Sequence, residues 1–322
     1  MQEFYPLKLS YVTKSPIWSG DRLKKEWNRH SDSKVGESWE LSVREGERSV
    51  IENGSLQGRT LYGLIEEYSV ELMGKETKPA DVPLLVKFID SADDLSVQVH
   101  PDDSYASRVE NDRGKTEMWY IVDAAEGARI VCGLRDGADV GDLAKAVEDG
   151  KPESVLNYSN VKAGETYFIP AGLPHAIGKG ILIAEIQQNC DLTYRVYDYG
   201  RLGTDGKPRE LHVKKALDVI RHFTEDEIRD IRYSRGENAQ NELLANCEYF
   251  RVERVTLSAG GEHHVNLNGG FCHLLVLDGA GEICCDGKKF PFAKGDSYFL
   301  PACLECVSLR GEATLLLSFA NK

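Results

Sequence analysis

Four residues of the kinds that bind metal ions stand in three short stretches of this sequence. Gln98 and His100 alternate with valines in LSVQVHP, Glu117 lies in GKTEMWY, and His175 follows a Pro-Ala-Gly corner in GETYFIPAGLPHAIG. Alternate side chains of a strand share a face, so Ser96, Gln98 and His100 should point one way and the valines the other. Polar side chains inside a β-barrel are costly unless a ligand or a metal ion satisfies them.

These residues form a ligand set of two imidazoles, one carboxylate and one neutral amide oxygen, with no thiolate. Such a set suits zinc and could also take manganese, iron, cobalt or nickel. One carboxylate on a divalent ion leaves a charge of +1, which can polarise a substrate oxygen if a coordination position stays open. The two further polar runs have the same strand parity, with Lys115, Glu117 and Trp119 in one and Glu185, Gln187 and Asn189 in the other.

Each residue alone also has a purely structural interpretation. His100 by itself could be a packed, hydrogen-bonded core histidine, and Lys115 could be a solvated surface lysine. The metal interpretation rests on four ligand types falling on strands of one predicted barrel with matching parity.

The corner before His175 recurs in the second half of the chain without its histidine. The glycine-five-proline spacing of GETYFIP is repeated 131 residues later in GDSYFLP, where Cys306 takes the place of His175. Aligning VLDG with IVDA also puts Cys272 opposite Glu117. Three histidines remain in this half, so a thiolate-containing metal site is an alternative, but we favour core packing. They are His263, His264 and His273.

The elements that position these residues are mostly short strands separated by glycine-rich turns, which is typical of β-barrels and β-sandwiches. Strands are predicted at residues 37–43, 83–90, 95–101, 117–124, 166–170 and 180–189, and from residue 249 onward. Helical spacing is found at residues 60–74, 140–150 and 211–223, and residues 223–244 are charged and linker-like. The sequence therefore predicts a mainly β protein built from two copies of one barrel, with helices added to the first.

Composition and net charge limit the number of domains, the kinds of binding partner and the cellular compartment that we expect. The 322 residues allow about two domains, and the formal net charge of −13 argues against nucleic acid. No apolar run is long enough for a membrane span, and the N-terminus lacks the layout of a signal peptide. Eight sparse cysteines suggest reduced thiols in a cytoplasm. An anionic substrate would need local cations against the repulsive overall charge.

The spacing Gly-five-Pro-x-Gly-two-His resembles the second motif of the cupin superfamily. Within it, PLLVKFIDSADDLSVQVHPDD, GKTEMWYIVDA, GLPHAIGKG and QQNCDLTYRVYDYGR resemble type I mannose-6-phosphate isomerases of the short bacterial form, from about Tyr5 to the C-terminus. Ile177 departs from the tyrosine of eukaryotic relatives, and their large helical insert is absent.

This resemblance implies two cupin-type jelly-roll barrels: a catalytic domain at 1–235 with helical additions, and a degenerate domain at 236–322 without the metal site. It implies one zinc ion per chain and a metal-dependent interconversion of mannose 6-phosphate and fructose 6-phosphate through an enediolate. The implied metal ligands are Gln98, His100, Glu117 and His175. The implied catalytic residues are Arg195, Lys115 and Glu185, and the implied substrate-binding residues are Ser96, Lys87, Lys115 and Asp191.

Charge considerations add to this resemblance but leave several points open. Lys87 and Lys115 are candidate partners for the phosphate or the sugar hydroxyls. The general base could be Glu185, His100, Lys115 or a metal-bound water, and a hydride shift is a competing route. The alternatives are a cupin isomerase for another phosphosugar and a non-catalytic sugar-phosphate sensor; the oligomeric state, including a homo-oligomer, stays open.

Overall fold

A computed structural model describes residues 2–203, 205–224, 226–227, 232–233 and 241–321, with 232–233 described by their backbone alone. Within these residues the chain is mainly β, as predicted, and its strands form three antiparallel sheets. The predicted 235/236 domain boundary lies outside the described residues.

The first sheet has seven strands, which come from residues 12 to 233 of the chain. In spatial order they are β13 (Arg232–Tyr233), β9 (Thr166–Ile169), β6 (Glu117–Ala124), β11 (Ile181–Gln188), β4 (Leu84–Ser91), β3 (Glu37–Leu41) and β2 (Val12–Lys14). The second sheet has five strands and lies over one face of the first. In spatial order they are β12 (Tyr194–Tyr197), β5 (Val97–Val99), β10 (His175–Ile177), β7 (Arg129–Leu134) and β8 (Leu156–Asn160).

The third sheet contains the C-terminal half and one strand from the N-terminus. Its path is β1 (Leu7–Lys8), β18 (Ser297–Leu300), β16 (Cys272–Cys285), β19 (Cys306–Ala320), β15 (Phe250–Asn266) and β14 (Asn241–Asn246), and β17 (Lys288–Ala293) pairs with β16. Its long strands bend around a separate apolar core that includes Val255, Ile283 and Leu309.

The first sheet is buried on both faces, which explains the continuous apolar runs of β4 and β11. Val86 and Phe88 share a core with Leu275 and Leu316 of the third sheet. Ile89, from the opposite face of β4, belongs to the core between the first and second sheets. The first sheet thus presents one face to the C-terminal half and the other to the second sheet.

In the part of the chain that the structure describes, six short α-helices lie on this framework. They are α1 (Arg22–Glu26), α2 (Leu61–Glu67), α3 (Ser69–Met73), α4 (Asp103–Val109), α5 (Val140–Glu148) and α6 (Val213–Val219). Among the described residues, none of these helices has the length and apolar character that crossing a membrane requires.

The helix predictions were confirmed in place but not always in length. The segment 60–74 is two helices, because the chain leaves helical geometry at Tyr68 before α3 ends at Gly74, whose φ is +79°. Helix α5 begins at Val140 as predicted, with a capping box between Asp139 and Asp142, and ends at Glu148, short of the predicted Gly150. Helix α6 stops at Val219 instead of reaching residue 223, because Ile220 adopts extended backbone angles.

Candidate metal centre

Neighbouring strands of the second sheet bring three of the four predicted ligands together. Gln98 is the middle residue of β5, His100 follows that strand directly, and His175 begins β10. Because β5 and β10 are antiparallel partners with His175 opposite Gln98, these two side chains lie side by side. Glu117 begins β6 in the facing first sheet, so the fourth predicted ligand approaches from across the core.

The corner before His175 is fixed by backbone bonds to the ligand strand. The N–H of Gly172 donates to the carbonyl of His100 at 2.9 Å. Gly172 has φ of +88°, and a Cβ at this position would lie 2.9 Å from the Val219 carbonyl oxygen. Glycine is therefore required here by both conformation and space, and the corner couples the positions of His100 and His175.

The donor atoms stand at separations suited to one shared ion. Nε2 of His100 lies 3.1 Å from Oε1 of Glu117, and Nε2 of His175 lies 4.0 Å from Oε2 of Glu117. The Gln98 amide nitrogen lies 3.4 Å from Nε2 of His175, and a half-turn of the amide would present its oxygen instead. Ligands about 2.0–2.1 Å from a tetrahedral zinc lie about 3.4 Å from one another, so these residues fit a metal ion.

The hydrogen bonds around the site leave the imidazole nitrogens that face it available to bind a metal ion. Nδ1 of His175 donates to the Leu173 carbonyl at 2.8 Å, which directs the lone pair of Nε2 into the site. Within the described part of the chain, neither ring nitrogen of His100 has an aligned hydrogen-bond partner, although both are buried. Oε1 of Glu117 is buried too and has an ion pair with Lys115 but no aligned hydrogen bond. Burial and the nearby Lys115 lower the pKa of His100 to about 3, so the imidazole is in its neutral, metal-binding form.

Two lysines, Lys87 and Lys115, pair with carboxylates in and beside this cluster. Nζ of Lys115 lies 2.8 Å from Oε1 of Glu117. Nζ of Lys87 lies 3.8 Å from Glu185 and 3.5 Å from Asp191. Both lysines are therefore already paired with carboxylates in the protein, which the charge argument from the sequence did not anticipate.

Burial and the neighbouring Glu117 raise the pKa of Glu185 to about 7. Burial alone would lower the pKa of Lys115, but Glu117, Glu185 and Asp191 outweigh it and raise that pKa. The lysine therefore stays charged beside the ligand cluster.

Sequence reasoning missed Glu37 and did not anticipate the role of two tryptophans. Glu37 of β3 lies 3.5 Å from Nζ of Lys87 and accepts a 2.8 Å hydrogen bond from the indole of Trp39. The indole of Trp119 donates to Glu117 at 2.9 Å and to Glu185 at 3.0 Å. The available signal was the repeated Glu-x-Trp spacing in ESWEL and EMWYI, since residues two apart in a strand share a face.

Arg195 borders the cluster on β12, opposite Gln98. Its Nε donates to the hydroxyl of Ser96 at 3.3 Å, and its Nη1 donates to the Glu210 carbonyl at 2.8 Å. Among the described residues it makes no ion pair with a carboxylate, while burial and Arg209 lower its pKa. Arg195 is thus a cation with capacity for an anionic ligand, and every predicted site residue lies in one connected group.

Two family models match the chain. Residues 7–130 match "Phosphomannose isomerase type I, catalytic domain", and residues 240–320 match "Mannose-6-phosphate isomerase, cupin domain".

Relatives and solved structures match over nearly the full length. The chain is 37% identical to mannose-6-phosphate isomerase ManA of Bacillus subtilis (strain 168), over 97% of this chain and 98% of that protein. It is 34% identical to mannose-6-phosphate isomerase of Streptococcus mutans, over 98% of this chain and 99% of that protein. A crystal structure of the mannose 6-phosphate isomerase from Bacillus subtilis superposes with a TM-score of 0.88 at 34% identity, covering 97% of this chain and 99% of that one. The crystal structure of mannose 6-phosphate isomerase (apo form) from Salmonella typhimurium shares the fold, with a TM-score of 0.77 at 14% identity. The match covers 98% of this chain and 99% of that one. The chain therefore belongs to the type I mannose-6-phosphate isomerase family.

Proposed function

We propose that this chain is a metal-dependent aldose-ketose isomerase that interconverts mannose 6-phosphate and fructose 6-phosphate. The observation that carries the proposal is the buried group of His100, Glu117 and His175, whose ligand atoms all lie within 4.8 Å of one another. The amide of Gln98 completes the set, and Arg195 stands beside it without a carboxylate partner in the described structure. The full-length similarity to named isomerases supports the substrate.

We propose that Gln98, His100, Glu117 and His175 hold one zinc ion per chain. The mixed nitrogen and oxygen ligands and their separations of 3.1, 3.4 and 4.0 Å support zinc. When bound, this ion would act as a Lewis acid toward the oxygens at C1 and C2 of the sugar. The protein's own part is to keep two neutral imidazoles and one carboxylate fixed in a buried place.

Arg195 is proposed to stabilise the negative charge that develops on the substrate oxygens in an enediolate. A guanidinium without a competing carboxylate can offer its donors to such an oxyanion. Glu185 is proposed to carry the proton between C1 and C2, in preference to His100, which belongs to the ligand set, and to Lys115, which is paired with Glu117. Glu185 is 3% exposed and lies against the ligand cluster through Trp119.

The remaining predicted residues are proposed to orient the sugar phosphate. Lys87, Lys115 and Ser96 are buried in the site, whereas the Asp191 side chain is half exposed. Asp191 therefore suits the mouth of the site and a contact with a sugar hydroxyl. Lys87 and Lys115 can contact the substrate while keeping their carboxylate partners, because an ammonium group has three donors.

We also propose that the two halves are related jelly-roll units, 1–235 and 236–322, with only the first retaining the metal site. Strand pairing supports this relation, since Glu117 pairs with Ile169 and Gln187 just as Cys272 pairs with Leu300 and Phe319. All eight cysteines are free, which supports a cytoplasmic location.

The test is isomerase activity on mannose 6-phosphate together with metal analysis of the same sample. Bound zinc, fructose 6-phosphate formation, loss of both on chelation and recovery with zinc would support the proposal. A zinc-loaded protein that leaves mannose 6-phosphate unchanged would refute the substrate assignment. Full activity in metal-free protein would refute the metal-dependent mechanism.

A further inference from the structure

We propose that Trp119 is a positioning residue that holds the metal-binding carboxylate in one orientation. The inference rests on the proposed metal site, because it concerns how Glu117 is held within that site. Trp119 is completely buried, and its single indole N–H is shared between Oε2 of Glu117 at 2.9 Å and Oε1 of Glu185 at 3.0 Å. It also packs edge-on against His175, with ring centroids 5.4 Å apart.

The indole occupies one oxygen of each carboxylate and leaves the other oxygen to a lysine. Oε1 of Glu117 faces Lys115 at 2.8 Å and Nε2 of His100 at 3.1 Å. Oε2 of Glu185 faces Lys87 at 3.8 Å. Oε2 of Glu117 also lies 4.0 Å from Nε2 of His175, but it accepts the indole hydrogen bond, so Oε1 is the oxygen that Glu117 offers a metal. This arrangement would help to keep a coordination position open.

A neutral donor is needed at this point because two buried carboxylates meet there. Like charges this close repel each other and would favour rotation of either side chain away. The indole N–H bridges both oxygens without adding a charge, so the balance between the lysines and the carboxylates is unchanged. Phenylalanine would retain most of the ring volume but would leave the two oxygens facing each other without a donor.

Trp39 provides a matched comparison within the same site. Its indole donates to Glu37 at 2.8 Å with the same Glu-x-Trp spacing, but Glu37 is outside the ligand set. If the indole bond acts by orienting the ligand, only loss of the Trp119 bond should weaken metal binding. If tryptophan acts through packing alone, both substitutions should have similar effects.

The experiment measures zinc affinity by chelator competition for the full chain and for the Trp119→Phe and Trp39→Phe variants, with Tm recorded for each. Loss of a residue that orients a metal ligand costs about 10–100-fold in affinity or activity, so we expect the zinc Kd of Trp119→Phe to rise by that factor. At saturating zinc, kcat should fall while KM stays within about threefold, since the indole holds protein groups and not the sugar. The zinc Kd of Trp39→Phe should stay within about twofold of the original.

A double variant separates positioning from a general loss of packing. In Trp119→Phe with Glu185→Gln, the new amide can donate an N–H to Glu117 and the repulsion between carboxylates is removed. Zinc affinity should recover most of the loss, whereas kcat should not recover because the proposed base is gone. Unchanged zinc affinity in Trp119→Phe, an equal loss in Trp39→Phe, or no recovery in the double variant would each overturn the inference. A parent protein that binds no zinc would instead refute the proposed metal site.

Discussion

The two halves of the molecule share a pattern of strand pairing but differ in the side chains at its corresponding positions. In the first half, His175 pairs with Gln98, and Glu117 begins a strand between Ile169 and Gln187. In the second half, Cys306 pairs with Asn266, and Cys272 takes the place of Glu117. His175 is buried, whereas Cys306 is exposed.

The difference shows that this strand pairing does not need metal-binding side chains at these positions. The second half surrounds Cys272 with apolar side chains such as Leu274, Leu300 and Leu317. The first half buries imidazoles and carboxylates, some of them without aligned hydrogen bonds in the described structure, at a cost of a few kcal/mol per group. Those groups are therefore explained by the chemistry of the site, since the corresponding strand pairing forms around Cys272 without them.

The sharpest way to break this comparison is to substitute the two corresponding corner residues. We expect His175→Ala to lose bound metal and to lower kcat at least about 1,000-fold, because the Lewis acid is no longer held. Cys306→Ala should leave metal content, kcat and Tm unchanged, because this side chain lies at the surface. Metal analysis and steady-state kinetics on both variants check the prediction, and comparable losses in the two would contradict it.

A carboxylate moved into the second half should be destabilising. Cys272→Glu places an unpaired charge in an apolar core, and we expect a loss of about 3–5 kcal/mol in the free energy of unfolding. Cys272→Ala, which removes volume without adding charge, should cost only about 1 kcal/mol. Urea unfolding of both variants provides the measurement. A Glu variant as stable as the Ala variant would mean that the second interior can accommodate a polar group.

Acid stability should distinguish His273 from its first-half counterpart, Met118. Burial lowers the pKa of His273 to about 3, whereas an unfolded histidine titrates near 6.5. The unfolded state therefore binds more protons between these values, so stability is present above pH 6.5 and declines as the pH falls. From pH 7 to pH 4.5 this group should cost about 2 kcal/mol.

The variant His273→Met should remove that part of the pH dependence. Unfolding free energies of both proteins at pH 7, 5.5 and 4.5 test this, and carboxylates such as Glu40 cancel because both proteins contain them. Parallel curves for the two proteins would show that His273 does not titrate between the folded and unfolded states in this range.

The smallest change in stability is expected on removing the Ser297 hydroxyl, which is bonded to Nε2 of His273. Ser297 donates to the Glu40 carbonyl at 2.8 Å, so it accepts from Nε2 of His273, also at 2.8 Å. Ser297→Ala should lower the unfolding free energy by about 1–2 kcal/mol, because a buried donor loses its partner. Ser308→Ala, which removes an exposed bond to His264, should have no measurable effect in the same denaturation assay.

The sequence was most informative where strand parity and a repeated corner determined the structure. Alternation placed Gln98 and His100 on one face of their strand and Glu117 on the face it shares with Lys115 and Trp119, and the repeated corner located His175. The valines on the opposite face of β5 are buried as well, so alternation alone does not identify the inward face. The alignment of Cys272 with Glu117 agrees with the observed register in both halves. These features depend on residues close together in the chain or on copied spacing.

The pairing of strands that are far apart in the chain could not be predicted from the sequence. The contact of Glu37 with Lys87 depends on β3 lying beside β4, and that of Lys87 with Glu185 depends on β11 lying on the other side. One residue of slip in either register would turn these side chains to the opposite face. The break of the predicted helix at Tyr68 likewise reflects tertiary packing, which overrides helical propensity.

The pairing of β1 with β18 has a consequence for how the chain is made. Leu7 lies opposite Phe299, a separation of 292 residues (299 − 7). During synthesis, the segment containing Leu7 leaves the ribosome long before its partner exists, so this edge of the third sheet can form only after β18 has been synthesised. Pairings between residues so distant in the chain fold slowly and leave intermediates with unpaired strands. We therefore expect the third sheet to complete its edge late in refolding, after the first sheet has formed.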